Sequence, residues 1–336
     1  MSDEIIMLLD MAERMFADAF PRGDLPLREG QATTSQAWSV ISDLGLPDLL
    51  LGESEGGISA SPETFTAVLR KAGAATMPVP LLEVAVARWL AMQLGLDNSK
   101  ATTVATLSQS GGLSWRPVPG VQRLIVLSTT GDAENVQVFE IAELNEVDVT
   151  ANLAGEALSC SEDTASGKEI GTDRECAARA RRLLGLGRAA MVAGGCEAVL
   201  SLSLDYAADR VQFGRAIAKF QAVQQQLAVL AEEVAASCAI VAAAARTCDS
   251  ASGELMLDIA RTRIAEAADQ VARIGHQVHG AIGFTREYDL QLVTRRLELW
   301  RAEDCHLPRA SERIANRFAG LGVEEMWPAI VESTAP

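Results

Sequence analysis

The segment Arg210-Val211-Gln212-Phe213-Gly214, followed by Phe220-Gln221, gathers residue types suited to a phosphorylated heterocycle. A guanidinium grips a phosphate through two parallel N–H donors. Gly214 permits a tight backbone turn, and the amides of Gln212 and Gln221 each offer donors and an acceptor to a ring. The same residues equally make a helix-to-helix turn with a solvated arginine. A second segment, Gln277-Val278-His279-Gly280-Ala281-Ile282-Gly283-Phe284-Thr285, sets two glycines three apart between helices. That spacing lets a phosphate or ribose come close to the backbone. A helix C-cap explains Gly280 equally well.

Other groupings carry less. Glu303 and His306 have the spacing of half a di-iron site, but no second Glu-x-x-His exists, so a solvated helix end is the simpler reading. His276 and His279 share a helical face, yet the chain has only three histidines and offers them no clear partner, so no metal is assigned. Arg295, Arg296 and Arg301 either meet phosphate or pair with Glu298, Glu303 or Asp304. The six cysteines are scattered without a CxxC pair, which points to packed thiols in a reducing compartment.

These residues need a scaffold, and the composition limits its kind. Of the 336 residues, 49% are apolar and 4% aromatic, with alanine and leucine dominant, which favours helices over β-sandwiches. A net charge of −16 repels nucleic-acid phosphates and anionic lipid, so neither is an expected partner. No run of 18 apolar residues exists, and Val234 to Ala245 reads as a buried helix rather than a membrane span. The opening Met1-Ser2-Asp3-Glu4 carries acid where a signal peptide carries base, so a cytoplasmic location is expected.

Apolar steps of three and four from Ile5 to Phe16, with Ser61-Pro62 as the start of a further helix, predict a helical region over 1–100. Leu124 to Leu127, then Gly131-Asp132, then Val136, Val138 and Ile141, predicts a hairpin within a small β domain over 101–170. Thr172 and Glu175 have capping-box spacing, and helices follow over 171–330. The stripe Phe220, Val223, Leu227, Leu230, Val234, Cys238 and Val241 needs other helices to cover it, which implies a four-helix bundle. The expected fold is therefore mainly α with a small β insert.

Taken together, the two glycine-bearing segments resemble the C-terminal signature of the acyl-CoA dehydrogenase family, Arg-x-Gln-Phe-Gly with Phe-Gln and then Gln-x-x-Gly-x-x-Gly-Phe-Thr-x-Glu-Tyr. Gly45-Leu46-Pro47 and Glu55-Gly56-Gly57 resemble that family's first domain. The resemblance implies a helical N-terminal domain, a small β domain and a C-terminal four-helix bundle. It also implies FAD, with Arg210, Gln212, Phe213 and Gln221 on the pyrophosphate and adenine side, and Gln277, Gly280 and Gly283 holding the adenosine end from a neighbouring chain. The implied reaction is α,β-desaturation of an acyl-CoA thioester, with an electron-transfer flavoprotein as the type of acceptor.

The resemblance implies a base 16 positions after Tyr288, where Asp304 stands with Glu303 beside it, both outside the family's Tyr-Glu-Gly pattern. The family's other base position falls on Leu184. The stretches that line the flavin ring are not visible between 101 and 170. This pattern resembles the short chains of two-gene, α2β2 acyl-CoA dehydrogenases that act on CoA thioesters of steroid side chains. The expectation is one chain of such a complex, or a homo-oligomer. The alternative is a non-catalytic partner that completes the FAD site and the interface without a base of its own.

Overall fold

The computed structural model describes residues 3–19, 38–107, 112–130, 133–164, 166–171, 174–304 and 307–334, and the side chains of these except at 129, 130, 133, 134, 304 and 307–309. Two compact units divide the chain. One comprises Met1–Leu27, Pro62–Met77 and Gly185–Pro336, and the other Arg28–Ser61 and Pro78–Leu184.

The second unit is built on a sheet. A helix, α3 (Leu81–Gln93), is apolar on nearly every side and buries ten residues, among them Leu82, Val86, Trp89 and Leu90. It packs on β1 (Thr102–Leu107) of a seven-stranded sheet. The remaining strands are β2 (Leu113–Trp115), β3 (Arg123–Thr130), β4 (Ala133–Glu140), β5 (Asp148–Ala151), β6 (Ala157–Ser161) and β7 (Lys168–Ile170), in the order β5-β6-β2-β1-β3-β4-β7. The expected hairpin is β3–β4, antiparallel with Leu124 opposite Phe139 and Val126 opposite Gln137. The pair β1–β3 is parallel, while every other pair in this sheet is antiparallel. Ala105, Leu113, Trp115, Leu124, Val126 and Phe139 make its core. A charged group is also buried here. The Arg116 guanidinium pairs with Glu83 of α3 and lies 3.7 Å from the Glu156 carboxylate, all three side chains being at most 11% exposed.

The first unit holds α1 (Asp3–Ala19), α2 (Pro62–Ala74) and a bundle. The bundle helices are α4 (Arg174–Asp209, of which the part from Gly185 belongs here), α5 (Gln221–Arg246), α6 (Gly253–His279) and α7 (Leu290–Asp304). Their directions follow from contacts. A Cβ on Gly185 would meet Arg261, one on Gly275 would meet Val199, and Tyr206 stacks on His279, so α4 and α6 run parallel. Only six residues separate the end of α5 at Arg246 from the start of α6 at Gly253, and Glu233 pairs with Arg263 at 2.5 Å near the middle of both helices, so α5 packs along α6 and runs against it. Arg188 pairs with Glu303 while a Cβ on Gly195 would meet Leu297, so α7 runs against α4. The arrangement is up-down-up-down. The α4–α5 and α6–α7 connections therefore lie at the same end of the bundle.

Two shorter helices follow, α8 (Leu307–Phe318) and α9 (Val323–Ser333). Asp258 of α6 anchors α8 by accepting from both Nε, at 2.7 Å, and Nη2 of Arg313. The last bundle helix, α7, begins at Leu290, after the five residues Gly280–Phe284 have wound as a 3-10 turn.

Two helices, α4 and α5, have the length and hydropathy of a membrane span, with 83% and 33% of their apolar windows buried. The segment 234–245, expected to be buried, is so on one face only. Ala235, Ala239 and Ala242 are exposed, while Val234, Val241, Ala244 and Ala245 are covered.

Candidate functional site

Between α4 and α5 the chain makes a small hairpin rather than a plain turn. Strands β8 (Val211–Gln212) and β9 (Arg215–Ala216) pair antiparallel, with Val211 opposite Ala216 and Gln212 opposite Arg215. The two linking residues both have positive φ, 51° at Phe213 and 78° at Gly214, as a type I′ turn requires. Gly214 takes this without cost. Phe213 is a non-glycine residue held in the left-handed region, at about 1–3 kcal/mol. The hairpin imposes this φ, while the ring is 91% exposed and meets the Phe220 ring edge-on at 6.1 Å. An exposed aromatic at such a tip is available to a group outside the chain.

Around this tip stand exposed Arg210, Gln212 and Arg215. The Arg215 guanidinium lies 4.2 Å over the Phe220 ring, directly before α5. No side chain caps the α5 N-terminus, where Gln221 is exposed, so its leading N–H groups and the helix dipole favour an anion there.

At the same end of the bundle, α6 stops at Gly280, whose φ of 62° and ψ of −141° glycine alone adopts freely. Gln277 is exposed beside it. Gly283 lies deeper in the same turn. It is buried, and a Cβ there would lie 2.9 Å from Leu290 and 3.1 Å from His279, so its bareness serves helix packing. Both tyrosines of the chain converge under this turn. Tyr206 stacks on His279 at 4.6 Å, and Tyr288 lies 4.9 Å from the same ring. His276 stacks on exposed Phe284 at 4.1 Å and hydrogen-bonds Thr294 at 3.0 Å. His279 donates through Nδ1 to the Gly275 carbonyl at 2.7 Å. Both imidazoles are thus engaged in packing. The aromatic cluster went unread in the sequence, where its one signal is Tyr206 standing four positions before Arg210.

Burial holds both imidazoles below the ordinary histidine pKa, His276 with some added repulsion from His279. The native chain therefore binds fewer protons than the unfolded chain as pH falls through about 6.5. The stability these neutral rings confer is present above that pH and is lost on acidification. His279→Phe is expected to flatten this dependence, so denaturant midpoints of the variant and the parent should converge between pH 7 and pH 5.5. Parallel midpoints would show that His279 titrates normally.

The expected base lies elsewhere. Glu303 pairs with Arg188 at 3.2 Å, the guanidinium side chain being 8% exposed and the carboxylate 28%. Arg188 precedes Arg210 by 22 positions on α4, about 30 Å at 1.5 Å per residue. One protomer thus brings Arg210, Gln212, Phe213, Gln221, Gln277 and Gly280 to one end of its bundle and Glu303 toward the other. Asp304 ends α7, and its side chain lies outside the described residues, as do Cys305 and His306.

Residues 178–303, which span both clusters, match the family model of the acyl-CoA dehydrogenase C-terminal domain. The acyl-CoA dehydrogenase IpdE2 of Mycobacterium tuberculosis is 30% identical over 267 residues, covering 77% of this chain and 79% of that protein. The chain belongs to the acyl-CoA dehydrogenase family. Solved structures agree in fold. A chain of the Tcur3481-Tcur3483 steroid ACAD variant superposes with a TM-score of 0.79 at 20% identity, covering 94% of this chain and 97% of that one. A chain of the ChsE4-ChsE5 complex from Mycobacterium tuberculosis gives 0.78 at 20%, covering 96% and 99%.

FAD is the cofactor of acyl-CoA dehydrogenases. The residues present fit its phosphate-bearing end. An exposed arginine, an uncapped helix N-terminus and a strained exposed phenylalanine stand together, with the Gly280 bend at the same end of the bundle.

Proposed function

We propose that this chain is one subunit of a heteromeric, α2β2 acyl-CoA dehydrogenase that carries out FAD-dependent α,β-dehydrogenation of acyl-CoA thioesters, with steroid side-chain CoA thioesters as the substrate class. The observation that carries this is the cluster at one bundle end: Arg210 and Gln212 on a strained hairpin, Gln221 at an uncapped helix start, and Gln277 with Gly280 on the neighbouring turn. Arg210 grips the pyrophosphate and the glutamine amides hold the adenosine. Phe213 reaches toward the partner. Bound flavin supplies the hydride acceptor for the β-hydrogen. Two relatives favour the heteromeric form and the steroid class, one being a ChsE4-ChsE5 complex and the other described as a steroid ACAD. An electron-transfer flavoprotein is the acceptor we assign. The five free cysteines among the described residues suit a reducing, cytoplasmic setting.

Within such a complex, one observation favours the reading in which this chain completes the cofactor site and the interface without its own base. Glu303 is already engaged in an ion pair with the buried Arg188 guanidinium at 3.2 Å, toward the end of the bundle away from the Arg210 cluster.

The test is colour and activity. Purified alone, the chain is expected to be colourless. Co-expressed with an acyl-CoA dehydrogenase-like chain encoded beside it, it should yield a yellow, active complex. That complex should keep its rate when carrying Asp304→Asn or Glu303→Gln. A yellow, active chain that needs no partner would overturn the heteromeric reading. A loss of about 100-fold or more in kcat with Asp304→Asn would give this chain the base.

A further inference from the structure

The last helix of the described chain is amphipathic, and most of its apolar face is left exposed among the described residues. None of the residues Val323–Ser333 in α9 is buried. Val323 is 91% exposed, Met326 41%, Trp327 71% and Val331 53%. Together with Ile330 these positions follow the i, i+3, i+4, i+7 and i+8 spacing of one helix face, an arc of about 140° at 100° per residue. Glu325 and Glu332 occupy the opposite side, Glu324 borders the stripe beside Val331, and no basic residue follows Arg317 in the sequence.

A helix of this kind does not hold itself. Eleven residues are marginal in water without tertiary burial, and Pro328 removes a further backbone donor inside it. Its local support is a cap at each end, the Gly322 N–H donating to the Glu325 carboxylate at 3.1 Å and the Thr334 hydroxyl donating to the Ile330 carbonyl at 2.8 Å. Short amphipathic helices with an aromatic anchor at the centre of the stripe gain their stability by lying in an apolar groove.

Charge chooses the occupant of that face. An anionic membrane repels three glutamates that have no basic neighbour. A second copy of this chain, with net charge −16, brings like charges together. We infer that α9 docks, through Val323, Met326, Trp327, Ile330 and Val331, into an apolar groove with a Lys/Arg rim on the second, different chain of the complex. This rests on the heteromeric reading above.

The experiment uses the full-length chain co-expressed with the dehydrogenase-like chain of the neighbouring gene, as wild type, Trp327→Glu and Trp327→Leu, and with a benzophenone photocrosslinker at Val331. Because no α9 residue is buried, the variants should keep the wild-type circular dichroism and Tm. Trp327→Glu is expected to weaken association at least about 30-fold, as loss of a central anchor worth 2 kcal/mol or more does, and Trp327→Leu much less. The crosslink should join the two unlike chains. Undiminished association of Trp327→Glu, a crosslink to a second copy of this chain, or flotation of the chain with vesicles overturns the docking while leaving the heteromeric enzyme standing. A wild type that forms no complex at all refutes the heteromeric reading, and the docking with it.

Discussion

Arg116→Met is expected to cost the sheet-bearing unit about 3–5 kcal/mol, seen as an early unfolding step in a denaturant titration followed by circular dichroism. The guanidinium stands between the Glu83 and Glu156 carboxylates, whose side chains are 11% and 7% exposed. Removing it leaves two like charges close together and out of water, where neither is compensated by Arg116. Asn152 donates to Glu156 at 3.1 Å, but a neutral amide cannot replace a cation. Methionine keeps most of the volume, so the loss reports charge rather than a cavity. The control is Arg116→Met combined with Glu83→Gln and Glu156→Gln, which should recover most of the loss. A single variant as stable as the parent would mean that water reaches this group freely.

The second large effect is steric. Gly73 of α2 and Gly194 of α4 sit where the two helices touch backbone to backbone. A Cβ on Gly194 would lie 1.9 Å from the Arg70 carbonyl oxygen, and one on Gly73 would lie 2.1 Å from the Met191 carbonyl oxygen. Neither obstacle is a flexible side chain that can swing aside, so the helices must separate. Gly194→Val is therefore expected to lose about 3 kcal/mol or more, beyond the usual range for overpacking. The gain in intrinsic helix preference over glycine offsets only a few tenths of that. A thermal scan of the first unit checks it. An unchanged Tm would show that α2 is only loosely held.

The same glycine shows where the sequence misleads. Gly73 invites reading as a helix terminator, yet it lies within α2 as a packing position. The left-handed residue that ends the helix is Thr76, with φ of 52°, buried and β-branched, a type that local preference places elsewhere. The β3–β4 hairpin was legible because Val136 and Val138 alternate with polar residues opposite a continuous apolar run. Strands such as Asp148–Ala151 and Lys168–Ile170 were not, being short and polar, and defined by partners 6 to 34 positions away. The β8–β9 turn was hidden by its Phe-Gly tip, which lacks the asparagine or aspartate that signals a type I′ turn.

Within the candidate site the residues of each motif are neighbours in sequence, so Arg210, Gln221 and Gly280 stood out together. That both motifs reach one bundle end follows only from the alternating helix directions. The tie of Glu303 to Arg188 spans 115 positions and leaves no periodic trace. The stripe of α9 does have the helical period, but three acids and a proline in eleven residues disguise it.

The first unit is interrupted in the sequence. Its helices α1 and α2 are made early, while their partners on α4 come much later, Arg70 meeting Glu197 across 127 positions. At roughly 5–20 residues per second on the ribosome, the apolar faces carrying Phe16, Phe65 and Leu69 wait about 6–25 s for their cover. The sheet unit, whose last strand ends at Ile170, can form meanwhile. Newly made chains should thus pass through a stage with one unit finished and the other open, during which a chaperone that shields apolar helices would raise the yield of native protein.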